Sequence, residues 1–195
     1  GSVAGLWAAG ALADWFGRVV VLERDEFPTE PTIRDGAPQT GQPHALLEAG
    51  RRALEGLFPG FSDADRSAGG LWLDTGTAID WYDHGGVVAD PDPEFRQFYA
   101  SRPLFEHVVR EQVRAIPEIR LRGGCHLLDY EYDADAGRVT GVAFRDDTGD
   151  PAAVEADLVV DATGRTSRTP AWLADRGDPT RPGGRVAVGG PHRTG

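Results

Sequence analysis

The first residues of the chain have the types and spacing of a phosphate-binding turn. Gly1, Ser2, Ala4 and Gly5 are small residues at the start of an apolar helical run. A glycine turn that opens a helix leaves backbone N–H groups free at the positive end of the helix dipole, where a pyrophosphate binds well. Glu23 follows a β-branched run at close to the ~20-residue offset at which an acid reaches an adenosine ribose. The sequence therefore predicts a dinucleotide site.

These residues also have a purely structural interpretation. Small side chains let a helix pack closely on a sheet, and Glu23 would serve equally as a solvated strand end. Ser2 stands where the dinucleotide fingerprint has its second glycine. Its side chain could alter the approach of the backbone to the pyrophosphate, and its hydroxyl could itself donate a hydrogen bond to phosphate.

The elements that would position these residues follow from hydrophobic periodicity and turn chemistry. Helices are predicted at 4–16 with Gly17 as a left-handed cap, at 44–58, from Ser101 as N-cap to Pro117, and at 167–174. Parallel strands are predicted at 18–23, 119–122 and 157–161, an antiparallel meander at 126–133, 138–145 and 153–155, and short strands at 71–73, 78–82 and 86–88. Residues 25–43, rich in proline, are predicted to be a long loop.

This order of elements predicts an α/β fold. It is a Rossmann-like fold with a parallel sheet, an antiparallel β-meander and part of an inserted substrate-domain sheet. A nicotinamide Rossmann domain would continue with βαβ units instead of a meander. The predicted organisation is a first part of the binding domain at 1–68, a partial substrate-domain sheet at 69–100, the rest of the binding domain at 101–175 and an irregular tail at 176–195.

Four separated motifs carry a resemblance to a known group of proteins. They are Gly1–Gly5, Glu23-Arg24, Ser101-Arg102 and the run Asp161-Ala162-Thr163-Gly164-Arg165. Together they resemble the FAD-binding fold shared by flavin-dependent aromatic hydroxylases, geranylgeranyl-type reductases and flavin-dependent halogenases. Their order and spacing cover nearly the whole chain, and the last motif is the most discriminating.

The resemblance implies a role for each matching position. It assigns Gly1, Ser2, Ala4 and Gly5 to the pyrophosphate turn, Glu23 with Arg24 to the adenosine ribose end, Gln39 and His44 to a loop beside the ribityl chain and flavin ring, Arg102 to the phosphate or ribityl region, Leu127 to adenine, and Asp161, Thr163 and Gly164 to a close turn. Arg102 has a simpler alternative, because it stands one helical turn before Glu106 and can pair with it.

The other reactive side chains favour structural roles. Cys125 and His126 are adjacent, but no third residue has the spacing of a zinc or nucleophilic site. Trp72, Trp81 and Tyr82 are interpreted as sheet packing in preference to a substrate cage. No metal site and no catalytic acid or base is predicted.

The resemblance implies an oxidoreductase with FAD as its cofactor. The predicted activity is an NAD(P)H-dependent flavin monooxygenase, a hydroxylase acting on a hydrophobic or aromatic small molecule with O₂. The alternatives are a flavin-dependent reductase of prenyl chains, a halogenase, or, from another class, a catalytically inactive truncated FAD-binding module.

Composition excludes several partners. The net charge is −11 and all 20 basic residues are arginine, which disfavours nucleic acid as a partner. The sequence contains no apolar run of the ~18 residues needed for a membrane span and no signal peptide, so a cytoplasmic protein is predicted.

The sequence reads as an N-terminal fragment. It contains no methionine and begins inside the phosphate turn, so the first strand of the parallel sheet is expected to be missing. A second Gly-Asp cofactor motif is expected beyond residue 195. From these two expectations we predict that the isolated chain binds FAD weakly or not at all.

Overall fold

The computed structural model describes residues 2–34, 43–80, 82–88 and 96–178. The predictions at Gly1, Gln39 and Trp81 and most of the predicted tail lie outside these ranges. The chain divides into two compact units, Gly1–Ala162 and Thr163–Gly195. Among the described helices, none is both long and apolar enough to cross a membrane.

A helix and two parallel strands form the centre of the first unit. Helix α1 spans Val3–Ala13 and leads to strand β1, Val19–Leu22, which pairs in parallel with strand β7, Ile119–Arg122. Val21 and Ile119 are buried, as the apolar pattern of these strands requires. The predicted mixed α/β fold with a parallel pair is therefore confirmed.

The end of α1 differs from the prediction. The amides of Trp15 and Phe16 both donate to the carbonyl of Leu12, and the helix ends with Asp14 as its C-cap in a right-handed conformation. Gly17 is not among the glycines with positive φ, so its predicted role as a left-handed cap is wrong. The helix stops earlier because the amides of Trp15 and Phe16 both turn back to the Leu12 carbonyl, one of those that a helix end leaves without a partner.

Helix α4 begins where the sequence predicts. It spans Arg102–Arg114, and the Oγ of its N-cap Ser101 accepts a hydrogen bond from the Leu104 amide at 3.3 Å. Pro103 lies in the first turn, where its missing N–H costs nothing. This start fixes the direction in which Arg102 and the next turn of the helix project.

One hydrophobic core joins α1, α4 and two shorter helices, α2 at Glu48–Leu57 and α3 at Phe61–Ser67. Phe61 packs edge-on against Phe105 of α4, with ring centroids 5.8 Å apart. Gly10 of α1 contacts Phe58 so closely that a Cβ there would lie 2.5 Å from the ring. Each fully buried residue of this kind contributes about 1.5–3 kcal/mol, so the core fixes α1 against α4.

A three-stranded antiparallel sheet replaces part of a predicted helix. Strand β2, Pro43–Leu47, pairs with strand β6, Arg96–Ser101, which also pairs with strand β3, Leu71–Asp74. The prediction of a helix from residue 44 is wrong for its first four residues, since the helix begins at Glu48. The positions of Leu46 and Leu47 are compatible with either a helix or a strand. Pairing of this segment with the distant strand β6 decided in favour of the strand.

Residues 75–80 and 82–88 form turns and a small hairpin. The amides of Thr77 and Ala78 donate to the carbonyl of Asp74, so the predicted strand at 78–82 is wrong up to residue 80. Strands β4 (Tyr82–Asp83) and β5 (Gly86–Val87) are joined by His84 and Gly85, with φ of 50° and 86°. Two positive φ values in a two-residue loop are the signature of a tight hairpin turn.

The predicted meander is confirmed. Strands β8 (His126–Asp133), β9 (Arg138–Arg145) and β10 (Pro151–Glu155) are antiparallel in the spatial order β10-β9-β8. A register irregularity between Leu127 and Asp129 leaves Leu128 as the extra residue of a bulge.

The predicted parallel strand at 157–161 is wrong. The Ala156 amide still donates to the carbonyl of Thr140, and the chain then runs without a strand to the end of the first unit. A strand needs a hydrogen-bonded neighbour, and none of the ladders in the described ranges includes these residues. Leu158 and Val160 are about half exposed as a result.

The described part of the second unit is short. A single 3-10 turn covers Gly164–Thr166, and helix α5 covers Thr169–Asp175. The short helix predicted at 167–174 is confirmed.

Candidate functional site

The first turn of α1 presents backbone amides. Ser2 is the N-cap in an extended conformation, and its carbonyl accepts the first helical hydrogen bond from Leu6 at 3.1 Å. The Ser2 side chain makes no capping bond, and no acid lies in the first turn. The N–H groups of Val3, Ala4 and Gly5 have no partner within the helix by its geometry. This helix end therefore suits an anion.

The start of α1 lies beside the end of the first unit. A Cβ built on Gly5 would be 3.5 Å from the Cβ of Ala162. Ala162 of the fourth motif therefore lies beside the first motif, even though 157–161 is not a strand. Gly164, in the second unit, has φ of 74°, a conformation that glycine adopts without strain. The predicted closeness of Asp161, Thr163 and Gly164 to a cofactor stays a prediction.

Glu23 continues the parallel pair by one residue and ties it to the meander. Its amide donates to the carbonyl of Arg122 at 2.9 Å, and its carbonyl accepts from the Cys125 amide at 2.8 Å. Strand β8 starts at the next residue, so Glu23 and Leu127 lie at the same edge of the unit. The hydrogen bond to Cys125 thus places Glu23 near the start of β8, the strand that contains the residue predicted for adenine.

The Glu23 carboxylate is held in a defined orientation. Its Oε1 accepts from the Asp25 amide at 3.2 Å, and its Oε2 lies 3.4 Å from Nη1 of Arg34. The side chain is 13% exposed, so a ligand at this edge can still reach it. Arg24, also predicted to bind the cofactor, is 56% exposed and contacts Asp25 instead.

Arg34 is the residue that sequence reasoning missed. Its side chain is 6% exposed and forms ion pairs with Glu106, Glu23 and, at 3.5 Å, Asp25. Burial lowers the pKa of Arg34, but Glu106 and Glu23 outweigh it and leave the pKa above its usual value. The available signal was weak: Arg34 is the one basic residue in an otherwise acidic, proline-rich loop.

Glu106 connects Arg34 to the third motif. It lies one turn after Arg102 on α4, and its Oε2 is 3.5 Å from Nε of Arg102. Its Oε1 accepts a short hydrogen bond from Arg34. The simpler interpretation of Arg102 is therefore present as a contact, and Glu106 serves as the shared counter-ion of two arginines.

This charged cluster keeps unused hydrogen-bonding capacity. In the described ranges, Nη1 of Arg34, Nε of Arg102 and Oε2 of Glu106 are buried without a hydrogen-bond partner. Buried polar atoms are rarely left so. Arginine N–H groups and helix amides are the donors that phosphate oxygens require, and a carboxylate accepts from ribose hydroxyls. The residues present therefore fit the pyrophosphate and ribose of FAD.

Two other predicted residues have different surroundings. His44 lies in β2 opposite Ala100, so its expected place at the start of a helix is wrong. Cys125 is buried, its thiol donates to the carbonyl of Gly123 at 3.2 Å, and burial raises its pKa. Such a thiol is unreactive, as the structural interpretation expects. Within the described ranges, no three His, Cys, Asp or Glu residues gather as metal ligands.

A known protein is similar in sequence to most of this chain. No family model matches the chain. Protein Rv3254 of Mycobacterium tuberculosis is 31% identical over 185 residues, which cover 90% of this chain and 39% of that protein.

Solved structures are similar over most of the chain. PqsL, a probable FAD-dependent monooxygenase from Pseudomonas aeruginosa, matches 89% of this chain and 43% of its own, with 18% identity and a TM-score of 0.64. CndH, a myxobacterial FAD-dependent chondrochloren halogenase, matches 84% of this chain and 35% of its own, with 21% identity and a TM-score of 0.59. The chain has the fold of FAD-dependent monooxygenases and halogenases. It spans less than half the length of Rv3254, PqsL and CndH. The predicted structural resemblance is confirmed.

Proposed function

We propose that this chain forms the FAD-binding part of a flavin-dependent monooxygenase. One observation carries the proposal: Arg34 and Glu106 bring Glu23 and Arg102, predicted from separate motifs, into one buried cluster. The cluster lies within a fold that the chain shares with FAD-dependent enzymes.

Different residues bind different parts of the cofactor in this proposal. The first-turn amides of α1, with Ser2 and Arg102, bind the pyrophosphate, and Glu23 accepts hydrogen bonds from the adenosine ribose. Leu127 lies against adenine at the start of the meander. Gln39 and His44 belong to the segment beside the flavin ring.

FAD supplies the redox chemistry when it is bound, and the protein orients and shields it. In the proposed reaction NAD(P)H provides two electrons, and one atom of O₂ enters a hydrophobic or aromatic small molecule while the other leaves as water. The side chains of this chain bind and orient, and none is proposed as an acid or base. We further propose that the protein is cytoplasmic. Its net charge of −11 argues against a nucleic-acid partner.

The test uses the full-length protein that contains this chain. Mixed with FAD and passed through gel filtration, it should keep a yellow flavin that NAD(P)H reduces. Oxygen uptake should then accompany substrate oxidation in an oxygen electrode. A protein that retains no flavin contradicts the proposal, and substrate reduction without oxygen uptake identifies a reductase instead.

A charge placed at the amide end of α1 sharpens this test. Ala4 is exposed in the first turn, so Ala4→Asp adds a negative charge where the pyrophosphate is proposed to lie. An acid in the first turn stabilises a helix, so weaker FAD binding would not arise from unfolding. Ala11→Asp, exposed farther along the same helix, is the matched control and should bind FAD normally.

A halogenase is the second candidate, because the chain has the fold of CndH as well. Both activities consume O₂ and reduced flavin, so the oxygen electrode does not separate them. Halide-dependent formation of a halogenated product would favour the halogenase, whereas oxygenation that ignores halide favours the monooxygenase.

A further inference from the structure

We propose that Arg34 is a positioning residue that holds the Glu23 carboxylate in place for the adenosine ribose. This inference rests on the proposed function, because it requires the adenosine end of FAD to bind at Glu23. It adds a residue that none of the four sequence motifs contains.

The position of Arg34 supports this role. The side chain comes from the loop after β1, is 6% exposed, and reaches α4, where it donates to Glu106 across 72 residues of sequence. The other side of its guanidinium faces Oε2 of Glu23 at 3.4 Å and Oδ2 of Asp25 at 3.5 Å. Arg34 thereby anchors the end of β1 to the first turns of α4.

The balance of charge separates Arg34 from Arg102. Arg34 faces the carboxylates of Glu23, Asp25 and Glu106, so its positive charge is already matched inside the protein. Among the residues that the structure describes, Arg102 has an ion pair with Glu106 alone, and it stands at the start of α4. Arg102 is therefore the better phosphate ligand, and Arg34 acts on the acids around it.

Loss of Arg34 would leave three neighbouring carboxylates with fewer cations. Like charges in such a cluster repel, so the Glu23 carboxylate would turn away from its present position. Turned away, it is a poorer acceptor for ribose hydroxyls. Ligands that possess those hydroxyls should be affected, and ligands without them should not.

The experiment measures discrimination between two probes on the full-length protein freed of flavin. ADP carries the ribose hydroxyls, and 2′,3′-dideoxy-ADP lacks them. Wild type should bind ADP roughly 10- to 100-fold more tightly, the range of charge-assisted hydrogen bonds. Arg34→Gln and Glu23→Gln should each reduce this ratio to near one, and the double variant should lose nothing further.

Two further variants complete the design. Arg34→Lys keeps the charge without the planar fork, so its ratio should fall between those of wild type and Arg34→Gln. Arg51→Gln is the matched control, because Arg51 is also partly buried and is held by Glu48 at 2.7 Å on the distant helix α2. Its ratio should equal that of wild type.

Each possible result supports or contradicts either the proposed function or the positioning role of Arg34. Wild type that binds neither FAD nor ADP contradicts the proposed function itself. An Arg34→Gln protein that binds FAD weakly but still prefers ADP over the dideoxy probe shows direct phosphate contact and overturns the positioning role. If Arg34→Gln does not fold, Arg34→Lys decides: a reduced ratio supports the role, and an unchanged ratio overturns it.

Discussion

Two buried acids in the same compact unit differ in whether cations surround their carboxyl groups. Glu106 on α4 is 3% exposed and lies between the guanidiniums of Arg34 and Arg102. Asp65 on α3 is fully buried, and in the described ranges neither of its oxygens has a hydrogen-bond partner. Burial alone raises the pKa of Asp65 to about 6. A buried acid with cations serves as their counter-ion, whereas one without them tends to take up a proton.

The difference suggests different uses for the two regions. A paired cluster with unused donors fits an anionic ligand, and its arginines are held in place before the ligand arrives. Asp65 packs against Gly70, whose amide donates to the Asp65 carbonyl at 2.8 Å, and it lies among residues that hold α3 to β3. We assign it no part in the proposed reaction.

The largest effect is expected from removing the charge of Glu106. Glu106→Gln keeps the shape but leaves Arg34 and Arg102 without their shared counter-ion. Breaking a buried ion pair from one side typically costs about 3–5 kcal/mol. Urea denaturation should show a free energy of unfolding lower by that amount. A loss below about 1 kcal/mol would mean that solvent or Glu23 and Asp25 already balance the arginines.

Asp65→Asn should change the free energy of unfolding in the opposite direction to Glu106→Gln. The folded pKa of about 6 lies above the usual value of 3.8, so the contribution of Asp65 to wild-type stability is greatest below pH 4 and falls as the pH rises to 6. The loss above pH 6 is about 3 kcal/mol, at 1.36 kcal/mol for each pKa unit. Asparagine does not titrate, so the variant should lack this decline. Parallel curves of unfolding free energy against pH for the two proteins would refute an unpaired Asp65.

Gly70→Ala tests how tightly Asp65 is enclosed. A Cβ at this position would lie 1.8 Å from Oδ2 of Asp65, so the carboxylate must move. Overpacking of this kind costs about 1–3 kcal/mol. Thermal unfolding should show a smaller cost in an Asp65→Ala background, where most of the obstruction is gone. Equal costs in both backgrounds would place the strain in the backbone instead.

The smallest effect is expected at an exposed ion pair. Nε of Arg52 lies 2.8 Å from Glu48 on α2, but the Arg52 side chain is 75% exposed. Exposed pairs contribute at most about 0.5 kcal/mol on a helix, so Arg52→Ala should barely change the unfolding midpoint. A cost as large as that of Glu106→Gln would remove burial as the explanation of the difference.

Much of the framework was predictable because it depends on local pattern. The β-branched run of β1, the N-cap Ser101 and the turns of the meander each act within a few residues, and each appears where predicted. The helix expected at residue 44 and the strand expected at 157–161 failed for the opposite reason. A strand requires a partner, and local sequence does not reveal which distant segment will supply it or whether any will.

The candidate site divides in the same way. The sequence predicted that Glu23 lies at the end of a strand and Arg102 at the start of a helix, because position within an element follows from periodicity. Tertiary structure alone decided that Arg34 joins Glu106, 72 residues away, and that Asp65 has no such partner among the described residues. Charges interact through space, so the same residue types become a counter-ion cluster or an isolated acid according to how the chain folds around them.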